Sequence, residues 1–157
     1  MTELSVTHDT FVIERTYGAS PARVFKAWAE PAAKAQWFAG AEAPGNGYEL
    51  DFRVGGREMN RGGPPDGPVY VFDARYHEIV DDERFVFTYD MYADGTCISV
   101  SVTTVELRPE GTGTRLVYTE QGAFLDGHDT PAQRQHGTAA LLDALGTSLE
   151  RATADAL

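Results

Sequence analysis

Apolar and polar residues alternate along several stretches of this chain and recur at helical spacing along others. Between Thr10 and Tyr17, Phe11, Ile13 and Arg15 alternate with Val12, Glu14 and Thr16, which predicts a first strand after a polar, frayed lead over Met1–His8. Ser20-Pro21 then predicts a helix start, with Val24, Phe25 and Trp28 as its buried face. Glu30-Pro31 restarts a second short helix that ends near Trp37-Phe38, followed by a loop over Ala39–Gly47. Tyr48–Val54 and Arg57–Arg61 read as two strands joined at Gly55-Gly56. Gly62–Pro68 holds three Gly and three Pro and is predicted as a loop. Strands are expected over Val69–Val80 and Arg84–Met91, where Phe85, Phe87 and Tyr89 oppose Val86 and Thr88, and Asp94-Gly95 is a turn pair. In Ile98–Leu107 the pattern sets an apolar face of Ile98, Val100 and Val102 against a wet face of Ser99, Ser101 and Thr103. Val105 and Leu107 fall in the opposite phase, which predicts a bulge near Thr103-Thr104. A turn at Pro109–Gly113 leads to a last strand over Thr114–Gln121, and Gly122–Asp129 connects it to the final element.

That final element, Asp129–Leu157, reads as one long helix. Thr130 is placed as its N-cap, Pro131 suits the first helical position, and Gln133 stands where a capping box has Glu or Gln. Leu141, Leu142, Leu145 and Leu149 form one apolar stripe. The partner large enough to bury it is the set of strands. The pattern therefore predicts an α+β fold: a curved antiparallel sheet wrapped around the long C-terminal helix, with two short helices after the first strand. Such an arrangement leaves a cavity between helix and sheet, and that cavity is the expected site.

Composition narrows the function. A chain of 157 residues is read as one domain over residues 1–157. Its formal net charge of -11, from 13 Lys+Arg against 24 Asp+Glu, argues against nucleic acid or an anionic membrane surface as the main partner. One cysteine, Cys97, excludes an intrachain disulfide and a cysteine-based zinc site. Glu3 stands where a signal peptide has positive charge, and no apolar segment long enough to span a bilayer is present, so a cytoplasmic protein is expected.

The order of elements and several strings resemble the SRPBCC superfamily, also called the START-like or helix-grip fold. The branch is that related to the C-terminal domain of the activator of heat-shock-protein-90 ATPase. The strings are Trp37-Phe38, Phe52-Arg53-Val54-Gly55-Gly56-Arg57-Glu58, Pro65-Asp66-Gly67, Ala74-Arg75-Tyr76-His77-Glu78-Ile79-Val80 and Gly113-Thr114-Arg115-Leu116. They continue through Thr119-Glu120-Gln121-Gly122-Ala123-Phe124-Leu125-Asp126-Gly127 and His136-Gly137-Thr138 with Leu141-Leu142-Asp143-Ala144-Leu145. The resemblance implies the helix-grip fold and a ligand cavity. The chain departs from the pattern at Glu58 and Asn60, where the family usually has aromatic or apolar side chains. It departs again at Gly137-Thr138, where the family often has Gly-Trp.

Glu58 and Glu120 are the sharpest candidates for chemistry. Period-two alternation from Leu116 and Tyr118 turns Glu120 inward, and Glu58 occupies a family cavity position. Two carboxylates in a partly apolar cavity suit acid/base work or the holding of a polar ligand group, unless arginines such as Arg57 or Arg53 neutralise them. Asn60 and the set Tyr70, Phe72, Tyr76, Phe87, Tyr89, Met91, Tyr118 and Phe124 are candidates for the cavity wall, against an ordinary filled core. His136 is a candidate group at the cavity mouth. His128 and His136 lack the spacing of a helical zinc pair, so neither a metal nor a cofactor is expected. Three functions fit: a binding protein for a small apolar or aromatic molecule, a cyclase- or aromatase-type enzyme in the same cavity, and an interaction module acting on a chaperone ATPase. A homodimer through the exposed sheet face is compatible with each, although the face bearing Ser99, Ser101 and Thr103 is expected to be polar.

Overall fold

A computed structural model describes residues 3–39 and 47–156 of the chain. Seven strands form one antiparallel sheet: β1 (Val6–Tyr17), β2 (Tyr48–Leu50), β3 (Arg57–Gly62), β4 (Tyr70–Val80), β5 (Arg84–Ala93), β6 (Thr96–Glu110) and β7 (Gly113–Leu125). Their order across the sheet is β1-β7-β6-β5-β4-β3-β2, so the first strand pairs with the last and every other neighbour follows in sequence. The helices are α1 (Pro21–Ala29), α2 (Pro31–Lys34) and α3 (Pro131–Ala156), and α2 runs on into a π turn over Ala35–Ala39. This is the predicted α+β, helix-grip architecture. Among the described residues no helix is long and apolar enough to cross a membrane. The loop expected over Ala39–Gly47 falls almost wholly outside the described residues.

Local chemistry sets the boundaries as expected at several ends. Ser20 caps α1 by accepting from the Arg23 amide at 3.3 Å, with Pro21 in the first turn. Thr130 caps α3 by accepting from the Gln133 amide at 3.1 Å. Asp94 and Gly95 both take positive φ, 48° and 82°, as the two-residue hairpin between Ala93 and Thr96 requires. The Gly55-Gly56 connection is longer than a tight hairpin. The Gly56 amide returns to the Arg53 carbonyl at 2.7 Å, and Gly55 donates to the Tyr76 carbonyl of β4 at 2.8 Å.

Several boundaries and one strand face differ from the pattern: β2 ends at Leu50 and not Val54, and β6 runs on to Glu110, into the turn expected at Pro109–Gly113. β1 begins at Val6 and β7 runs to Leu125 because the two ends pair with each other, Val6 opposite Leu125; His8 is therefore in a strand and not in a frayed lead. In β6 the polar residues point inward: Ser99, Ser101 and Thr103 are buried at 0–1 % exposure, whereas Val100 and Val102 are 45 % and 41 % exposed. Val105 and Leu107 share the inward phase, so no bulge occurs at Thr103-Thr104. The register shift lies instead at Ile98, between the pairs Met91–Ser99 and Tyr92–Cys97. The reason is electrostatic: the inward serines serve a buried ion pair described below. The outer sheet face is correspondingly apolar at Val12, Val100 and Val102, not the polar surface expected.

The C-terminal half of α3 fills the concave side. Leu142, Leu145 and Leu149 are at most 7 % exposed and join Phe11, Ile13, Val24, Trp28 and Phe85 in one core. The Tyr17 hydroxyl donates to the Leu142 carbonyl at 2.7 Å, and Gly146 lets the helix pass close to the Tyr17 ring, where a Cβ would stand 3.2 Å from it. The turns of α3 before Leu141 carry no comparable apolar residues, and there the helix and sheet stand apart.

Candidate functional site

A cavity of about 620 Å³ occupies that gap. Its floor is the inner face of the sheet: Phe72 from β4, Tyr89 and Met91 from β5, and Tyr118 from β7. Asn60, Arg61 and Gly62 of β3, with Gly63 and Tyr70, form one side, and Phe38 closes the end from the π turn. Successive turns of α3 supply the roof through Gln133, Arg134, Gly137, Thr138 and Leu141, preceded by Asp129. Small side chains keep the space open. A Cβ built on Gly137 or Gly62 meets nothing within 4 Å, and Thr138 stands where the resembling family often has Trp.

Two buried ion pairs frame the cavity. At the β3–β4 end, Lys34 is fully buried and its Nζ lies 2.9 Å from Glu58 Oε1 and 2.8 Å from Oε2. Glu58 also accepts from the Tyr48 and Tyr76 hydroxyls, each at 2.7 Å. The ammonium sits in a box of rings, with centroids of Phe38, Trp28 and Trp37 at 4.4, 4.8 and 5.7 Å. Burial lowers the Lys34 pKa, and Glu58 opposes that shift. Tyr48 and Tyr76 are pushed up, first by burial and then by the Glu58 charge.

At the other end, Arg134 from the first turns of α3 reaches Glu120 of β7. Glu120 Oε2 accepts from Tyr89 Oη at 2.7 Å, from Ser101 Oγ at 2.8 Å and from Arg134 at 3.3 Å, while Oε1 accepts from Tyr118 at 3.0 Å. Arg134 in turn donates to the Tyr89 hydroxyl and to Ser99 Oγ, both at 2.7 Å, and to Asp129 Oδ2 at 3.2 and 2.9 Å. Burial works against the Arg134 cation, but Tyr89, Glu120 and Asp129 outweigh it and its pKa is raised. This network is what turns the polar phase of β6 inward, since Ser99 and Ser101 are two of its members.

The structure divides the candidate residues into two groups. Asn60, Tyr70, Phe72, Tyr89, Met91 and Tyr118 lie in the cavity wall. Glu58, Tyr76, Phe87, Glu120 and Phe124 are buried behind it, at no more than 2 % exposure, which corrects the expectation that they face the cavity. Glu58 accepts from Lys34, Tyr48 and Tyr76, with both of its oxygens within 2.9 Å of the Lys34 ammonium, and Glu120 accepts four hydrogen bonds, three of them on Oε2; both carboxylates are enclosed by these neighbours at 0 % exposure. Their neutralising partners are Lys34 and Arg134. Arg57 and Arg53 pair instead with Asp73 and Asp51 at the surface. His136 is exposed and lies outside the cavity wall, because two residues along a helix from inward Arg134 is a turn of about 200°. Lys34, Phe38, Arg134 and Thr138 are not among the site residues expected from the sequence, although Phe38 and Thr138 stand in the family-like strings. Arg134 and Thr138 had a signal: they continue the Leu141/Leu142, Leu145, Leu149 stripe toward the N-terminus at helical spacing.

The sequence model of the family described as Activator of Hsp90 ATPase homolog 1-like protein matches residues 18–150. The Mll3558 protein of Rhizobium loti is 49 % identical over 92 % of this chain and 99 % of its own, with a TM-score of 0.86. A protein of Rhizobium leguminosarum, described as putative and uncharacterized, is 46 % identical over 96 % of this chain and 99 % of its own, with a TM-score of 0.90. CalU16 of Micromonospora echinospora shares the fold at 18 % identity, covering 95 % of this chain and 86 % of its own, with a TM-score of 0.64. No protein with a curated description matches the sequence.

Proposed function

We infer that this chain, which belongs to the Activator of Hsp90 ATPase homolog 1-like family, binds a small apolar or aromatic ligand between α3 and the sheet. The observation that carries this reading is the cavity itself. Its volume of about 620 Å³ falls within the range of small-molecule sites, and Phe38, Tyr70, Phe72, Met91 and Leu141 give it an apolar lining beside the polar groups. Two polar side chains in its wall, Asn60 and Thr138, make no hydrogen bond within the protein among the described residues, and Thr138 is only 7 % exposed. Both reach the open space of the cavity, so a ligand that fills it and displaces water there must supply their hydrogen-bond partners. Reversible binding fits this geometry better than proton transfer, because Glu58 and Glu120 are buried behind the cavity wall and paired with Lys34 and Arg134.

The test is a thermal-shift screen with aromatic and aliphatic compounds, run on the natural chain and on Thr138→Trp. A ligand at a hundred times its Kd adds about 2.7 kcal/mol, which raises the midpoint by roughly 5–10 °C in a chain of this size. The indole of Thr138→Trp occupies the cavity, so that variant should fold and lose the shift. An empty screen, or an equal shift in the variant, would defeat the reading.

A further inference from the structure

We propose that the ligand's buried polar group is uncharged, a phenol, alcohol or amide, and that the cavity discriminates against carboxylates. The proposal rests on the reading of the cavity as a ligand site and adds the chemistry that the site selects.

The one buried cation in the cavity wall is Arg134, and it has no donor to offer. A guanidinium carries five N–H groups. In this structure Nε donates to Asp129, one terminal nitrogen to Asp129 and Ser99, and the other to Tyr89 and Glu120. Its charge is likewise spent, because one cation faces the two carboxylates Glu120 and Asp129. An anion reaching this end of the cavity meets two carboxylates against one guanidinium and must displace an existing hydrogen bond to reach Arg134. Lys34 offers no alternative: it lies behind the Phe38 ring, 1 % exposed, and is held by Glu58. A carboxylate taken out of water without a counter-charge is strongly disfavoured.

The groups left over are neutral. Thr138 presents a hydroxyl and Asn60 an amide, each both donor and acceptor. Tyr118 commits its proton to Glu120 and leaves its oxygen as an acceptor. Together they match a neutral group that both donates and accepts. Arg61, exposed at the rim, is the remaining cation of the wall, and an acid that binds at all must leave its carboxylate there in water.

Calorimetric titration with three naphthalenes of one ring system tests this: 2-naphthol, 2-naphthamide and 2-naphthoate, the last two nearly equal in shape and different in charge. Near neutral pH the naphthol and the amide should bind at least about tenfold more tightly than the acid. Arg61→Gln should weaken naphthoate by a larger factor than it weakens the naphthol, and naphthoate binding should strengthen as pH falls toward the pKa of the free acid. Naphthoate binding as tightly as naphthamide, in the natural chain and in Arg61→Gln alike, would overturn the charge selectivity while leaving the cavity a binding site. Failure of all three, together with an empty thermal screen, would remove the site and the selectivity with it.

Discussion

Replacing Lys34 with methionine isolates the physics of the buried pair. The side chains are close in length, so Lys34→Met keeps the ring box of Trp28, Trp37 and Phe38 filled and deletes only the charge and its hydrogen bonds. Glu58 then remains fully buried with the Tyr48 and Tyr76 hydroxyls as its only partners. Removing one member of a buried pair costs about 3–5 kcal/mol, whereas replacing both members is often close to neutral. For a chain of 157 residues the entropy of unfolding is about 0.33 kcal/mol/K, so the single variant should melt about 9–15 °C below the natural protein at neutral pH. The deficit should shrink at mildly acidic pH, where a proton neutralises the orphaned carboxylate. Lys34→Met with Glu58→Gln should recover most of the loss, because the amide still serves both tyrosine hydroxyls. Calorimetric melting of the two variants at neutral and mildly acidic pH is the assay. A loss under about 1 kcal/mol for Lys34→Met, or a double variant as unstable as the single one, would refute the account of Glu58 as a charge held in place by Lys34.

Three further outcomes follow from the same structure. Tyr17, Tyr48, Tyr76, Tyr89 and Tyr118 all have pKa values raised, chiefly by burial, so the folded chain keeps protons that the unfolded chain releases near pH 10. Their contribution is intact below that pH and is lost above it at about 1.4 kcal/mol per pH unit and per tyrosine. Lys34, with its pKa lowered, acts in the opposite sense below the ordinary lysine value and offsets one tyrosine at most. Tyrosinate absorbance and loss of circular dichroism should therefore rise together in one steep alkaline transition; gradual ionisation of a folded chain would contradict this. In Gly56→Ala the new Cβ would stand 2.0 Å from the Asp51 carbonyl oxygen, so the β2–β3 connection must shift, at about 1–3 kcal/mol by denaturant titration; an unchanged midpoint would show the connection to be pliant. Thr130→Ala removes the cap on the Gln133 amide and should cost about 1 kcal/mol in the same assay, a cost that Thr130→Ser should avoid.

Much of the fold was legible because it is written in local terms: caps at Ser20 and Thr130, the Asp94-Gly95 turn, and alternation in β1, β4, β5 and β7. The inward turn of Glu120 followed from the same alternation. What was not legible depended on partners distant in sequence. β6 carries its valines outward because Arg134, 35 residues further on, meets Ser99 and so rewards a polar inner face. Lys34 sits in a four-residue helix, and nothing beside it in the chain announces that Glu58, 24 residues away, will bury it. The candidate site was legible in half: residues on strands were placed by period two, whereas the contributions of α3 required continuing the leucine stripe through Arg134 and Thr138, two residues that do not look apolar.

The reversed face of β6 bears on how the chain reaches this structure. Taken alone, the Ser99–Thr103 part of β6 would gain by slipping one residue, since that would hide Val100 and Val102 and return the serines to water, whereas Val105 and Leu107 hold the other part in the native alignment. In the Ser99–Thr103 part the native alignment is favoured only once α3 has docked and Arg134 has gathered Ser99 and Glu120. β6 is thus a locally frustrated strand whose correct pairing is selected late, by an element that leaves the ribosome after it. Until α3 arrives, β5, β6 and β7 compete between two alignments. The arginine that closes the cavity roof also decides between them.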